Sequence, residues 1–254
     1  MAATSDKRAL IVGLNYIGTN NALSGCIDDA NNVKAMLLKR GYQESNIVMM
    51  TDNTTSLLPT RKNILKEFLN LVLSGAKQLY FHYSGHGASV RDTDGDEDDG
   101  QDETLVPLDY FQTGTMIVDD ELKGVLKCLD ETQSLFCVLD CCHSGTGIDL
   151  KYNVYERLGK QFVLVEDKKQ SPTRGNCVCL SGCQDNQTSA DTFEEGQAQG
   201  AMSYAFLKAV TDPKVKSYEE LINSIRVLLK QKNYAQLPAM SFGKSVNLKS
   251  QFNF

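Results

Sequence analysis

The sequence predicts an α/β protein with a mostly parallel central β-sheet and helices on both faces of that sheet. Short apolar runs rich in β-branched residues alternate with segments whose apolar residues recur every three or four positions. Strands that alternate with helices in this way pair in parallel through right-handed crossovers. At 254 residues, of which 41% are hydrophobic, the chain is long enough for one domain with a large core.

The predicted strands are apolar runs bounded by turn residues. They cover residues 8–14, 46–50, 78–83, 134–139, 176–181 and 236–241. The last run contains Pro238, which cannot donate a backbone hydrogen bond, so we expect this run to be an edge strand.

The predicted helices carry their apolar residues as a stripe on one face. The first follows residues 23–30 and runs to about residue 40, and the others cover 61–73, 119–129, 201–210 and 217–230. Thr60 is expected to cap the second helix, and Ser217 with Glu220 forms a predicted capping box on the last.

Residues 151–175 are polar, partly basic and contain Pro172, which is typical of a linker or surface loop. We therefore expect residues 1–254 to form a single domain. Its larger subregion would cover residues 1–150 and its smaller one residues 176–254, joined by the 151–175 loop.

Composition excludes several classes of protein. Eight cysteines without any CxxC pair indicate neither a disulfide scaffold nor a zinc ribbon. No apolar stretch is long enough to cross a membrane, so a cytoplasmic protein is expected. No basic stripe interleaved with aromatic residues is present, which argues against a nucleic-acid partner.

The net charge of -6 is concentrated in residues 92–103, which contain eight acidic residues and no basic one. Five of these acids occupy positions 1, 3, 5, 7 and 12 of an EF-hand-like count. However, Glu97 stands where that loop needs glycine, and no helix pattern leads into it, so we reject an EF-hand. A solvated acidic loop is the favoured interpretation for most of these residues.

Two of the predicted strands end in residues capable of thiol chemistry. The sequence LYFHYSGHG (79–87) delivers His86 between two glycines, and LFCVLDCCHSGTG (135–147) delivers Cys141 and Cys142. The carboxyl ends of such strands are where open α/β sheets hold their active sites. A thiolate beside an imidazole is a catalytic pair, although the residues alone do not decide which cysteine attacks. His82 lies inside its strand and is expected to be structural.

These two segments resemble the signature blocks of the metacaspases, which are caspase-like cysteine peptidases. Five further blocks match in order, namely CIDDA (26–30), GQDETLVPLD (100–109), IVDDE (117–121), SGCQDNQTSAD (181–191) and GQAQGAMSYAF (196–206). The resemblance implies a caspase-like sandwich fold. Within this family the chain most resembles the type I arrangement with a short linker, and we expect no prodomain.

The resemblance implies that Cys142 is the nucleophile and His86 the general acid/base, with backbone groups near Gly87 holding the oxyanion. Cys141 departs from the serine usual at its position. The specificity pocket of the family matches a group of four residues, namely Cys26, Asp29, Ser84 and Asp140. Metacaspases cleave after Arg or Lys, and two carboxylates in a pocket suit a cationic side chain.

The positions that bind an activating Ca²⁺ in the family match Asp102, Asp119, Asp120 and Asp149. Carboxylates are the hard oxygen ligands that Ca²⁺ prefers, and they flank both catalytic segments. The expected partners are therefore protein or peptide substrates, with Ca²⁺ as cofactor and the enzyme as a monomer. Self-processing within residues 151–175 is a further hypothesis, because this segment is rich in basic residues, among them Arg157, Lys160, Lys168, Lys169 and Arg174.

The sequence leaves two alternatives open. The first is a catalytically silent, Ca²⁺-responsive interaction module of the same fold, against which the presence of both Cys142 and His86 argues. The second is a caspase-like thiol hydrolase of another specificity. Asp29 together with Asp140 disfavours an acidic residue before the scissile bond.

Overall fold

The computed structural model describes residues 6–91, 100–141, 147–157, 161–182, 191–194, 197–234 and 236–254, with the backbone alone for 191–194 and 197–199. Its strands are β1 (Lys7–Gly13), β2 (Ile47–Thr51), β3 (Gln78–Ser84), β4 (Gly87–Arg91), β5 (Gln101–Leu105), β6 (Ile117–Val118), β7 (Ser134–Asp140), β8 (Tyr152–Arg157), β9 (Gln161–Glu166), β10 (Asn176–Ser181), β11 (Asp191–Glu194), β12 (Gln197–Gly200) and β13 (Ala239–Phe242). Its helices are α1 (Cys26–Lys39), α2 (Arg61–Val72), α3 (Tyr110–Thr113), α4 (Asp119–Leu126), α5 (Ala201–Thr211) and α6 (Tyr218–Gln231).

The central sheet has eight strands in the described part of the chain, in the order β2-β1-β3-β7-β10-β13-β8-β9. The first five strands of this order run parallel to one another, and β13, β8 and β9 each pair antiparallel with the preceding strand. The predicted mostly parallel sheet is thus confirmed. Two small sheets, β4-β5-β6 and β11-β12, stand apart from it.

Helices cover both faces of the sheet and bury two separate apolar cores. Helices α1, α5 and α6 contribute to one core, and helices α2 and α4 to the other. Successive side chains of β3 divide between them, with Tyr80 in the first core and Phe81 in the second. The predicted caps are also present: Thr60 accepts a hydrogen bond from Asn63, and Ser217 with Glu220 forms the capping box.

Residues 151–175 depart from the predicted loop, because they contain β8 and β9. These strands form a hairpin that pairs with β13 through Asn153 and Ser241. Their polar composition gave no apolar strand pattern, because the outer strand of an antiparallel pair buries few of its side chains. The hairpin also places β13 inside the sheet, so the predicted edge strand at 236–241 was wrong. Pro238 lies just before β13, where it breaks no ladder hydrogen bond.

The last residues of the chain pack into the first core. Phe252 and Phe254 are 5% and 4% exposed, and the Phe254 ring lies 4.7 Å from that of Phe136. The guanidinium of Arg40 stacks over the same Phe254 ring at 4.4 Å. The C-terminal segment therefore contributes to the core that supports β7 and α5.

Candidate active site

The carboxyl ends of three neighbouring parallel strands meet at one edge of the sheet. Ser84 at the end of β3 is the register partner of Gly13 on one side and of Asp140 on the other. His86 follows Ser84 by two residues, and Cys142 follows Asp140 by two residues. Cys142 lies outside the described residues, as does His143. The last described residue before them is Cys141, which is fully buried.

The backbone of His86 is held by two tyrosine hydroxyl groups. The His86 N–H donates to the hydroxyl of Tyr16 at 2.9 Å, and the hydroxyl of Tyr83 donates to the His86 carbonyl at 2.8 Å. A side chain at Gly85 would place its Cβ 2.9 Å from both hydroxyls, so only glycine fits here. Gly87, the predicted oxyanion residue, begins β4 directly after His86.

The imidazole of His86 is partly exposed and is contacted on two sides. Its Nε2 lies 2.8 Å from the carbonyl oxygen of Asn21, and its ring centroid is 4.7 Å from that of Tyr16. A carbonyl can only accept, so Nε2 carries the proton in the neutral ring and Nδ1 is left as an acceptor. The ring is therefore presented with one nitrogen available for a thiol.

The predicted pocket residues gather around Gly200 at the start of α5. Ser84 donates to Asp29 Oδ2 at 2.7 Å, and the Gly200 N–H lies 3.0 and 3.1 Å from the two oxygens of that carboxylate. Asp140 accepts from the N–H of Ser203 at 2.7 Å. A Cβ at Gly200 would overlap the Asp140 carboxylate and lie 2.9 Å from Asp29 Oδ2, so both carboxylates face the same point.

Cys26 begins α1, on the same helix as Asp29, and is 3% exposed. Its N–H and that of Ile27 donate to the side-chain oxygen of Asn15, which thereby caps the helix. The Asp29 carboxylate is completely buried and that of Asp140 is 3% exposed. The structure thus brings all four predicted pocket residues to the ends of β3, β7 and α1.

The described residues also contain a group of three carboxylates that lie close to one another. Oxygens of Glu103, Asp119 and Asp149 all lie within 4.8 Å of one another. Burial and the nearby Asp149 carboxylate raise the pKa of Asp119 to about 7. Asp149 follows the Cys142 segment in a left-handed conformation with φ 42°. Carboxylates collected from β5, α4 and this segment suit a hard divalent cation.

Two of the four predicted calcium ligands do not belong to this group. Asp102 precedes Glu103 on β5, so the two side chains point to opposite faces of the strand, and Glu103 takes the place expected for Asp102. Asp120 pairs with Lys123 on α4 at 3.8 Å, while its N–H donates to Asp119 at 2.8 Å. The acidic residues 92–99 lie outside the described part of the chain.

Cys141 lines a small cavity of about 10 Å³ together with Glu103, Asp119 and Gly147. This volume is roughly that of one water molecule. Cys141 therefore lies next to the carboxylate group.

His82 is structural in position, as expected, but it lacks hydrogen bonds. It is fully buried on β3, and neither ring nitrogen has a partner among the described residues. Burial lowers the pKa of His82 to about 3, so the ring is neutral.

Comparison with known proteins adds to this geometry. The family model for the metacaspase peptidase C14 domain matches residues 7–151. The chain belongs to the metacaspase family. A metacaspase-1 of Cryptococcus neoformans is 39% identical over 94% of this chain and 62% of its own length. The metacaspase-1 of Mycosarcoma maydis is 35% identical over 95% of this chain and 71% of its own.

The chain spans 62% and 63% of the length of the first two curated metacaspases it matches. A crystal structure of a protein from Geobacter sulfurreducens superposes with a TM-score of 0.68 at 23% identity, covering 96% of this chain and 97% of that one. The caspase-like fold is thus confirmed. Within the described residues, no helix has the length and apolar character needed to cross a bilayer.

Sequence reasoning did not identify Tyr16, Asn21, Glu103 or Gly200 as parts of the site. Tyr16 and Asn21 lie in the loop after β1, which contains no cysteine, histidine or acidic residue. Gly200 fell within a matching block, GQAQGAMSYAF, yet only the structure places its backbone against the carboxylates of Asp29 and Asp140.

Proposed function

We propose that this metacaspase is a cysteine endopeptidase that cleaves after Arg or Lys through Cys142 and His86. The observation that carries the proposal is the register pair Ser84–Asp140, because His86 and Cys142 each follow one member of this pair by two residues. In chain order, Cys142 therefore follows the strand next to the one that His86 follows, which supports a pairing of thiol and imidazole. This is the arrangement that nucleophilic catalysis by cysteine requires.

Catalysis begins when the thiol of Cys142 transfers its proton to Nδ1 of His86. This transfer leaves a thiolate beside an imidazolium. The sulfur attacks the scissile carbonyl carbon, and backbone N–H groups near Gly87 stabilise the oxyanion. The imidazolium gives its proton to the departing amine as the C–N bond breaks. Water then attacks the thioester while His86 accepts its proton, and the carboxylic acid and thiolate separate.

The third member of the site is a backbone carbonyl. The Asn21 oxygen at 2.8 Å from His86 Nε2 fixes the ring orientation and stabilises the imidazolium. An Asp or Asn side chain in this position, as some thiol peptidases use, is therefore not required.

Specificity for a cationic residue is supported by the buried carboxylates of Asp29 and Asp140. A guanidinium can be bound through two parallel hydrogen bonds to a carboxylate, whereas an acidic side chain would be repelled. Ser84 holds the Asp29 carboxylate in place at 2.7 Å. Peptides with Arg or Lys before the scissile bond are the proposed substrates.

Activation by Ca²⁺ is supported by the three mutually close carboxylates of Glu103, Asp119 and Asp149. These residues fit the ion, because burial and the neighbouring Asp149 carboxylate raise the pKa of Asp119, and a divalent cation would offset the repulsion between the two carboxylates. Bound Ca²⁺ would supply positive charge between β5, α4 and the segment that follows Cys142. Asp149 would then be fixed relative to β5, close in the chain to the nucleophile, and the population of the active conformation would rise.

The test is cleavage of fluorogenic peptides that end in Arg, Lys or Asp, with Ca²⁺ and with a chelator. Wild-type protein and the Cys141→Ala variant are expected to cleave the Arg and Lys peptides only with Ca²⁺. Cys142→Ala and His86→Ala are expected to be inactive. Activity that survives Cys142→Ala, or a preference for Asp, would overturn the proposal.

A further inference from the structure

Tyr16 stands out among the buried residues near the site, because it combines a left-handed backbone with contacts to His86. Its φ angle is 51°, a conformation that bulky side chains adopt only under constraint. Its side chain is nevertheless completely buried. Such an outlier beside a reactive group indicates that the surrounding structure holds the residue there for a purpose.

The surrounding contacts explain how this conformation is maintained. The carboxylate of Asp52 accepts hydrogen bonds of 2.9 Å from the N–H groups of Asn15 and Ile17, which flank Tyr16. The hydroxyl of Thr19 donates to the Tyr16 carbonyl at 2.8 Å. The loop is thereby fixed on both sides of the tyrosine.

The side chain of Tyr16 reaches His86 in two ways. Its hydroxyl donates to the Val106 carbonyl at 2.7 Å and accepts the His86 N–H at 2.9 Å, so both the donor and an acceptor position are used. Its ring lies 4.7 Å from the imidazole, with 32° between the planes. The Tyr16 side chain therefore contacts both the backbone and the ring of His86.

The same loop supplies the carbonyl of Asn21 to His86 Nε2. A shift of Tyr16 would move the His86 backbone and also the carbonyl that orients the ring. The orientation of a general acid/base affects catalysis strongly, since misplacement by about 1 Å can cost roughly a hundredfold in rate.

We propose that Tyr16 is a positioning residue that holds the His86 imidazole in its catalytic orientation. This inference rests on the proposed function, in which His86 is the general acid/base. Loss of the hydroxyl would leave the His86 N–H without its acceptor, so the backbone that carries the imidazole would shift and Nε2 would lose its alignment with the Asn21 carbonyl. Turnover would then fall, while binding of the Arg side chain at Asp29 and Asp140 would not change.

The test compares Tyr16→Phe with Tyr80→Phe, a matched control. Tyr80 is equally buried, but it packs in the first apolar core, whereas Tyr16 packs in the second. The hydroxyl of Tyr80 has no hydrogen-bond partner among the described residues. Tyr16→Phe is expected to lower kcat for an Arg peptide about tenfold with KM within about twofold, and to shift the acid limb of the pH profile. Tyr80→Phe is expected to match wild type.

A second readout is the tautomer of His86, observed by ¹⁵N NMR in Cys142→Ala protein, where only three histidines contribute. The Nε2–H form is expected while Tyr16 is present, and a mixture of tautomers is expected once Tyr16→Phe is added. Should Tyr16→Phe fail to fold, Asp52→Ala releases the same loop without touching His86 and is expected to lower kcat in the same direction.

The outcomes separate this inference from the proposed function. If His86→Ala remains active, the catalytic dyad itself is wrong. If His86→Ala is inactive but Tyr16→Phe, or Asp52→Ala in its place, keeps wild-type kcat, pH profile and tautomer, the function of Tyr16 in positioning is refuted while the dyad stands.

Discussion

The hydroxyl group of Ser84 donates a 2.7 Å hydrogen bond to Oδ2 of Asp29, which joins the end of β3 to the first turn of α1. Asp29 also accepts the N–H of Gly200, so three separate parts of the chain converge on one carboxylate. The pocket therefore depends on the relative positions of β3, α1 and α5. His86 lies two residues beyond Ser84 at the same strand end, so the proposed base and the predicted pocket are held by one strand.

The charge of Asp29 can be tested with Asp29→Asn, which keeps the shape of the side chain. We expect kcat/KM for Arg peptides to fall about a hundredfold, because a charge-assisted hydrogen bond becomes a neutral one. Asp28→Asn is the matched control, one position earlier on the same helix. Steady-state kinetics measure both, and equal losses in the two variants would contradict the assignment of the pocket.

Gly200→Ala is expected to disrupt the pocket without unfolding the protein. Its new methyl group would overlap the Asp140 carboxylate and press on Asp29, so at least one carboxylate must move. We expect little cleavage of Arg peptides and a melting temperature within a few degrees of wild type. Gly124→Ala in α4 is the control, because nothing lies within 4 Å of its added Cβ. Full activity of Gly200→Ala would mean that the pocket lies elsewhere.

Calcium affinity is expected to depend on pH through Asp119. Its pKa of about 7 means that a proton competes with the ion, so the apparent Kd should rise about tenfold between pH 8 and pH 6. Calorimetry of Ca²⁺ binding measures this change. Asp149→Asn should weaken binding and flatten the pH dependence, whereas Asp120→Asn should leave both near wild type. A Kd independent of pH would argue against Asp119 as a ligand.

The same raised pKa of Asp119 also affects stability without Ca²⁺. Because this pKa is raised on folding, the unfolded chain releases the proton first as pH rises from about 4 to 7. The contribution of this group therefore lowers the free energy of unfolding as pH rises through that range. Added Ca²⁺ should reverse the loss in denaturant titrations near pH 7.

The lowered pKa of His82 predicts the opposite dependence of stability on pH, seen in acid. Its pKa is lowered to about 3 by burial, so the unfolded chain takes up a proton below about pH 6.5 while the folded protein does not. The free energy of unfolding should fall by about 1.4 kcal/mol per pH unit from this residue between pH 6 and pH 4. Denaturant titrations of His82→Phe should lack that component, and an unchanged slope would show that His82 is protonated in the folded state.

Self-processing is expected in the segment between β9 and β10. Lys168, Lys169 and Arg174 are exposed there and lie outside any strand. With Ca²⁺, wild-type protein should separate into two bands on a denaturing gel, and the Cys142→Ala variant should stay intact. An intact wild-type chain that still cleaves an Arg peptide would exclude processing from activation.

The sites of processing need a separate comparison. Replacing all three basic residues of that segment with glutamine should preserve the intact chain. The control replaces three exposed lysines elsewhere with glutamine, namely Lys62, Lys66 and Lys77. Protection by the control set would mean that the loss reflects surface charge and not the cleavage site.

The strands of the parallel core could be predicted from the sequence, because each is a short apolar run with turn residues at its ends. Ser84 and Asp140 terminate two of those runs, and the resemblance to metacaspases named them as pocket residues. The partner of both carboxylates, Gly200, comes from a distant part of the chain. Such contacts between distant residues leave no local pattern.

The carboxylate that β5 contributes to the acidic group shows a different difficulty. Asp102 and Glu103 are neighbours of similar chemistry, and only the register of β5 against β4 decides which one points toward Asp119. The hairpin of β8 and β9 was missed because its outer side chains are polar. Likewise, Phe252 and Phe254 lie in a polar segment, and only the folded structure reveals that they fill a gap in the core.

The pairing of β8 and β9 with β13 bears on what a cut after β9 would produce. The amino-terminal fragment would keep β7, β8 and β9, and the carboxyl-terminal fragment would keep β10 and β13. In the sheet, β10 and β13 lie between β7 and the hairpin. The strands of the carboxyl-terminal fragment therefore pair with strands of the amino-terminal fragment on both sides. The two pieces would migrate as one particle in native conditions, and cleavage would free the new chain ends without separating the two fragments.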